Sequence, residues 1–331
     1  MLKEKEFILV ADIGGTNTTF AIFEEDNLKK LKTIKLETKK ITNFTNTVSK
    51  ILEDIKLPIK AICFAAACPI TNKNKCELSN ADLSIDLESI KKKTKIKDIF
   101  LINDFQALAY GINLINKKDL LEIKKGVKNK THNLKAVLGA GTGLGKSILV
   151  WDNKIYHYKP LPSEGGHADL PIQTQEELDL IQFIKHQNLV SRIEWEHLLS
   201  GEGISNIYRY LVNYKKTNYQ EEIERLDCDP ALITKYRKKD KKCEATINYF
   251  LKFYARCAKS LALDTLSYGG IYIAGGIAAK NPQMFKSKFF LNEFLDNTKL
   301  KSLLEKIPIY VVKNYEVSLY GAALATKILT H

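Results

Sequence analysis

The chain has 331 residues, 45% of them hydrophobic, and a formal net charge of +13, which is long enough for two buried cores. No run of 18 apolar residues is present to span a bilayer. The opening MLKEKEFILVADIGG is too short in apolar residues, and acidic too early, for a signal peptide, so the chain reads as cytoplasmic with no membrane partner. Its lysines are spread through nearly every segment, densest at 91–95, 117–130 and 236–242, with no aromatic platform or helix-turn-helix beside them. That speaks against a nucleic-acid face and for a solvated basic surface.

Residues 7–28, FILVADIGGTNTTFAIFEEDNL, read as a β-hairpin: an apolar strand, a Gly/Thr-rich turn, a second apolar strand and a turn carrying Asp26 and Asn27. Helices are expected at 44–55 and 87–93, and buried strands at 61–67 and 99–103. Cys63 lies in one of these apolar runs and Cys257 in a later one, both as small core residues. The six cysteines contain no C-x-x-C pair, and no disulfide framework is expected in a reducing compartment. Asn103 and Asp104 fall where a strand meets a helix. Open α/β sheets bind ligands at such strand ends, but an aspartate there also serves to cap a helix beginning at Phe105.

The stretch LGAGTGLGKS at 138–147 approaches the P-loop pattern, yet the first position falls on Ala140, and the SILVWDNKIYHY that follows reads as strand and turn, not helix. It belongs instead to a second hairpin, 134–156, built like the first. Two matching hairpins, one per half, point to a duplicated domain, and the order β-β-β-α-β-α in each half to an α/β protein with mixed sheets. A two-residue turn would close either hairpin. GGTN and GTGLG hold more donors than that, and glycine lets backbone amides approach an anion such as a nucleotide phosphate.

In PLPSEGGHADL, 160–170, Glu164 and His167 bracket two glycines. With one imidazole, one carboxylate and no cysteine nearby they make a poor metal site. They suit sugar hydroxyls, or are simply solvated in a loop. Thr174 and Glu177 form a capping-box pattern before a helix. Glu196, in RIEWEHLLSGEGIS, is either a helix-surface acid or a further polar contact. Residues 215–242 are polar, a loop with some helix; 244–266 is a long helix, and 271–274 a strand ending at Gly275 and Gly276.

In order along the chain, GGTN at 14–17, LINDFQA at 101–107, GAGTGLG at 139–145, PSEGGH at 162–167, LLSGEG at 198–203 and AGG at 274–276 resemble the bacterial glucokinases, the non-zinc group of the actin-like (ribonuclease H-like) sugar kinases. The resemblance spans nearly the whole chain. It implies a duplicated ribonuclease H-like fold, two α/β domains with mixed sheets flanking a central cleft: a smaller one of residues 1–112 plus 318–331, with a helix at 318–329 packed back onto it, and a larger one of 113–317. It implies phosphorylation of D-glucose at the 6-hydroxyl by ATP, giving glucose 6-phosphate and ADP.

By the same resemblance Asp104 matches the general base, and Asn103, Glu164, His167 and Glu196 join it in binding sugar hydroxyls. Gly14, Gly15, Thr16 and Asn17 match one phosphate loop; Gly141, Thr142 and Gly143 match the other. Gly275 and Gly276 match the turn against adenosine. Asp12 matches the acid near the Mg²⁺–phosphate, acting through water, with no side chain ligating metal directly. The family also allows a homodimer. Two departures stand out: Thr18 and Thr19 follow GGTN where the family often has arginine, and Ile277-Ala278-Ala279 follows AGG where Ile-Val-Pro is common. Related kinases carry a zinc-binding cysteine cluster after the histidine; here no cysteine lies between Cys76 and Cys228, so zinc is not expected. The rival readings are a kinase for fructose, mannose or an N-acetyl-hexosamine, and a non-catalytic sugar or ATP sensor on the same fold.

Overall fold

A computed structural model describes residues 5–68, 74–78, 83–127, 132–213 and 227–330. Contacts divide the chain into two units, residues 1–117 with 151–161 and 316–331, and residues 118–150 with 162–315. The boundaries expected from sequence, 112 and 318, leave out the segment 151–161. It joins the first unit because Asn113 clasps Tyr158: Asn113 Nδ2 donates to the Tyr158 carbonyl (2.9 Å) and Oδ1 accepts from its amide (2.8 Å). Among the described residues no helix is long and apolar enough to cross a membrane.

The first unit is built on β1 (Phe7–Ile13), β2 (Asn17–Glu24), β3 (Lys30–Glu37), β4 (Ile59–Ala66) and β7 (Asp98–Asn103), in the order β3-β2-β1-β4-β7; β5 (Lys75–Leu78) and β6 (Leu83–Asp86) form a separate hairpin. β1 runs antiparallel to β2 and parallel to β4, which is parallel to β7. FILVADI buries both faces, as a strand with a parallel neighbour does. Phe7, Leu9, Ala11 and Ile13 pack with Phe44, Val48 and Ile51 of the helix Phe44–Ile55. Ile8 and Val10, on the other face, pack with Leu319, Ala322 and Ala323 of the helix Val317–Thr330.

That helix crosses the helix Asp104–Gly111 backbone to backbone. A Cβ on Gly321 would come 1.7 Å from the Ala107 carbonyl oxygen, and one on Gly111 2.2 Å from that of Val317, so neither position admits a side chain. The helix begins at Asp104 rather than Phe105, and its cap is Asn103, whose Oδ1 accepts from the amides of Phe105 (2.9 Å) and Gln106 (3.2 Å). Cys63 and Cys257 are fully buried. Contrary to expectation, Cys68 and Cys76 are joined in a disulfide, with Cα atoms 6.6 Å apart. The chain returns through β5, which brings Cys76 into the same cluster as Cys68, two residues past the end of β4.

The second sheet comprises β8 (Leu120–Lys124), β9 (Lys135–Ala140), β10 (Leu144–Asp152), β11 (His157–Leu161), β12 (Ile271–Ala274) and β13 (Ile309–Val312), in the order β11-β10-β9-β12-β13-β8. β9 is antiparallel to β10 and parallel to β12, which is parallel to β13. The order β10-β9-β12-β13 therefore reproduces β2-β1-β4-β7, and the repeat inferred from two hairpins extends through both sheets.

The helix Lys241–Thr265 fills the core of the second unit with Phe250, Phe253, Tyr254, Cys257 and Ala258. It starts ahead of the expected 244 because Asp240 caps it, accepting from the Cys243 amide at 2.7 Å. Of the expected 215–242 segment, 215–226 lie outside the described residues; the rest holds a short helix, Pro230–Tyr236. Thr174 caps the helix Gln175–Asn188 as expected, but Glu177 does not close a capping box. Its carboxylate takes the Gln173 amide (2.7 Å) and a two-pronged contact from Arg256, Nη1 and Nη2 each at 2.9 Å, while Lys252 Nζ lies at 2.7 Å.

Candidate functional site

In the first unit the predicted residues collect at the carboxyl ends of the parallel strands. Asp12 pairs in register with Ala65 of β4, and Asn103 with Ala66, so both lie at one level of the sheet. The 14–17 turn follows directly from β1. It is tied at its base: the Gly14 amide donates to the Asn17 carbonyl (3.0 Å), Thr38 Oγ1 to the Gly14 carbonyl (2.7 Å), and the Thr38 amide to the Thr16 carbonyl (2.9 Å). Gly15 sits between these anchors, and Thr16 and Asn17 are left exposed.

Asp12 receives a hydrogen bond from Ser318 Oγ, a partner that sequence reading missed. Burial pushes the Asp12 carboxyl above its ordinary value, against the pull of that hydrogen bond. Asn103 donates from Nδ2 to the Cys68 carbonyl (3.3 Å) besides capping its helix, and Asp104 Oδ1 accepts from the Phe105 amide (2.8 Å).

In the second unit the 141–143 turn joins β9 to β10. The Gly141 amide donates to the Gly143 carbonyl (2.8 Å), and the Gly141 carbonyl accepts the Gly201 amide (2.9 Å) that opens the helix Gly201–Asn213. Glu196 Oε2 accepts from the Leu144 amide at 2.8 Å. A Cβ on Gly143 would meet that same oxygen at 2.4 Å; Gly143 thus makes room for Glu196 as well as for any anion. Thr142 stands at the exposed tip of this turn.

Gly275 has a φ of +85°, and its Cβ would fall 2.6 Å from the Ala140 carbonyl oxygen; instead of the turn expected from sequence, Gly275 and Gly276 open the helix Gly275–Lys280, whose start lies against the end of β9. Lys146, the residue that gives the P-loop likeness, is a strand residue whose ammonium lies 5.2 Å from the Trp195 ring centroid.

Glu164 and His167 bracket a single 3-10 turn, with the His167 amide donating to the Glu164 carbonyl (3.0 Å). A Cβ on Gly166 would meet the Leu144 carbonyl oxygen at 2.0 Å, so this turn lies flat on β10 next to Glu196. His167 Nδ1 is 2.8 Å from Glu194 Oε2. The hydrogen bond to Glu194, helped by the charges of Glu196, Glu194 and Glu164, raises the His167 pKa above its ordinary value despite partial burial. Glu164, His167 and Glu196 are therefore brought together, and Glu194 joins them unforeseen. The only sequence signal for it is its place across Trp195 from Glu196.

The family model for glucokinase matches residues 9–328. The chain is 36% identical to a glucokinase of Nostoc punctiforme over 96% of this chain and 98% of that one. Among solved structures it is similar to a glucokinase from an Antarctic psychrotroph, at 26% identity and a TM-score of 0.80, with 97% and 98% of the two chains covered. In fold alone it is similar to a ROK family glucokinase from Streptomyces griseus in complex with glucose and AMPPNP, at 16% identity and a TM-score of 0.64, with 96% and 98% covered. Sheet order, motif order and sequence likeness agree along the length of the chain, which belongs to the glucokinase family.

Proposed function

We infer that the chain transfers the γ-phosphoryl group of ATP to the 6-hydroxyl of D-glucose, giving glucose 6-phosphate and ADP. The observation that carries this reading is the shared edge of the first sheet, where Asp12, the 14–17 turn, Asn103 and Asp104 follow from the carboxyl ends of parallel strands. A neutral alcohol is a weak nucleophile. Asp104, as general base, takes its proton as oxygen bonds to phosphorus, a contribution of about 10²–10⁴-fold.

Asn103 has a second Nδ2 hydrogen for a sugar hydroxyl, the first being engaged by Cys68. In the second unit Glu164 and Glu196 accept from hydroxyls and His167 offers a ring nitrogen. A sugar lacking one of those hydroxyls leaves a polar group unpaired, which is the strongest discrimination available to such a site. The 14–17 and 141–143 turns offer amides and the hydroxyls of Thr16 and Thr142 to phosphate, and Gly275 and Gly276, opening the helix Gly275–Lys280, offer adenosine a helix start without side chains. Asp12, with Ser318 on Oδ2, would hold Mg²⁺ through water, its carboxylate accepting from the ion's hydration shell. When bound, Mg²⁺ supplies charge neutralisation at the phosphates.

The test is coupled ADP release with MgATP over glucose, mannose, fructose, 2-deoxyglucose and N-acetylglucosamine. Preference for glucose in kcat/KM is expected. A preference for another hexose would keep the chemistry and change the substrate, and no sugar-dependent turnover would remove the reading.

A second expectation concerns the glycine beside Glu196. Gly143→Ala pushes the Glu196 carboxylate off the Leu144 amide, leaving a buried donor without its acceptor at about 1–3 kcal/mol. Because only the flexible end of Glu196 must move, the variant is expected to fold, with KM for glucose raised about tenfold or more. Unchanged KM in a folded Gly143→Ala protein would separate Glu196 from sugar binding.

A further inference from the structure

We propose that Glu194 is the positioning residue of His167: it holds Nδ1, so that Nε2 is the ring nitrogen that meets a sugar hydroxyl. This rests on the reading of His167 as a hydroxyl-binding residue.

The contact is built into the backbone. His167 Nδ1 and Glu194 Oε2 lie 2.8 Å apart, on side chains 54% and 32% exposed. A carboxylate only accepts, so the shared hydrogen is on Nδ1. Glu194 is fixed in turn: its amide donates to His197 Nδ1 (3.1 Å), and Glu194 bridges to Asp169 as an isolated antiparallel pair. The Trp195 amide donates to the Ala168 carbonyl (3.1 Å). The turns bearing His167 and Glu194 are thus locked to each other. Lys146 braces both from below, its ammonium on the Trp195 ring and its Cδ 2.9 Å from where a Gly165 Cβ would stand.

The charged and titratable groups around the ring are Glu164 on its own turn, Asp169 just beyond it, Glu194, Glu196 and His197 from the facing turn, and Lys146 beneath. Glu164 and Glu196 only accept hydrogen bonds. With Nδ1 occupied, a neutral His167 offers Nε2 as a third acceptor, whereas the imidazolium offers Nε2–H as the missing donor. Glu194 stabilises the imidazolium, as a carboxylate beside a histidine does. A raised pKa means that donor-form binding is complete at low pH and is lost as pH rises through the raised value. Without Glu194 the loss sets in at lower pH.

The test compares wild type with Glu194→Gln, which keeps the shape and an acceptor but loses the charge, from about pH 5.5 to about 9. KM for glucose in the variant is expected to rise about tenfold between the two His167 midpoints and to converge on wild type at the acid end, where the ring is charged in both, and at the alkaline end, where it is neutral in both. Its kcat and its KM for ATP stay within about twofold. The His167 ring, followed by NMR, should titrate at lower pH in Glu194→Gln, and Glu194→Asp should recover part of both effects. If Glu194→Gln does not fold, Glu194→Asp carries the test, with a smaller displacement in the same directions.

Superimposable KM profiles overturn the proposal, and so does a shifted NMR midpoint with unchanged KM, which would make the pair merely structural. Absence of glucose-dependent ADP release in the wild-type protein would overturn the reaction itself and this proposal with it, an outcome distinct from either of those.

Discussion

Asp104→Ala is expected to lower kcat by about 10²–10⁴-fold while glucose still binds and the fold survives. The structural half of this expectation follows from who caps the helix. Asn103 holds the amides of Phe105 and Gln106, so removing Asp104 leaves the cap in place. What is lost structurally is one hydrogen bond to Phe105 and the favourable acid in a helix's first turn, about 0.3–1 kcal/mol. Stability and turnover should therefore part company in this variant. ADP release gives kcat, glucose titration calorimetry gives affinity, and thermal unfolding checks the fold. Near-normal kcat in a folded Asp104→Ala protein would remove Asp104 from the chemistry. Asn103→Ala is the contrasting case, since it uncaps the same helix and should cost about 1 kcal/mol of stability.

The largest expected effect on stability lies away from the reaction. Arg256 and Glu177 are 2% and 1% exposed, and Arg256 also donates from Nε to Glu293 at 2.9 Å and from Nη1 to the Pro171 carbonyl at 3.2 Å. Removing Arg256 leaves the buried Glu177 with only the part-exposed Lys252 beside it, so Arg256→Met should cost about 3 kcal/mol, the low end for breaking a buried pair from one side, read as an earlier urea transition of the second unit. Burial on its own would raise the Glu177 carboxyl, but the hydrogen bonds from Arg256, Lys252 and the Gln173 amide outweigh it and bring the pKa down to about 2.

The sign follows from that depression. Wild-type stability from this group is complete above the ordinary carboxylate range and is lost as pH falls towards 2. In Arg256→Met the stabilising partner is gone at every pH. The gap between the two proteins should therefore narrow on acidification from neutrality into the range where carboxyls protonate. A constant gap across that range would mean that Arg256 acts by packing and not by charge.

The sheets are legible in the sequence because apolar runs and glycine turns are local signals: β12 has the expected bounds, and both hairpins stand where the GGTN and GTGLG turns put them. What is not legible depends on partners far along the chain. Asn103 and Asp104 are both good caps, and the choice is settled by register, since β7 continues through Asn103 opposite Ala66 before it turns. Glu177 sits in a good capping-box pattern but is drawn off by Arg256, 79 residues later. Cys68 and Cys76 meet only because β5 folds back. Glu194 reaches a histidine 27 residues earlier, and nothing in the alternation Glu-Trp-Glu distinguishes a side chain that does so from one in solvent. Gly143 is the subtle case: its glycine suits a phosphate loop, but the structure gives it a second reason, the carboxylate of Glu196.

The helix Val317–Thr330 also sets an order of assembly. It belongs to the first unit, yet the ribosome makes it only after the whole of the second. Until then Ile8, Val10, Cys63 and Ala65 have Ala107 and Tyr110 but no Leu319, Ala322 or Ala323 to cover them, and the nascent sheet carries one incompletely covered apolar face through most of translation, the kind of exposed surface that invites aggregation. Gly111 likewise waits for the close approach of Val317, and Asp12 for the hydroxyl of Ser318. A polypeptide halted before this helix would hold nearly every residue proposed for the reaction and still lack a finished first unit. Competence is withheld until synthesis has passed the second.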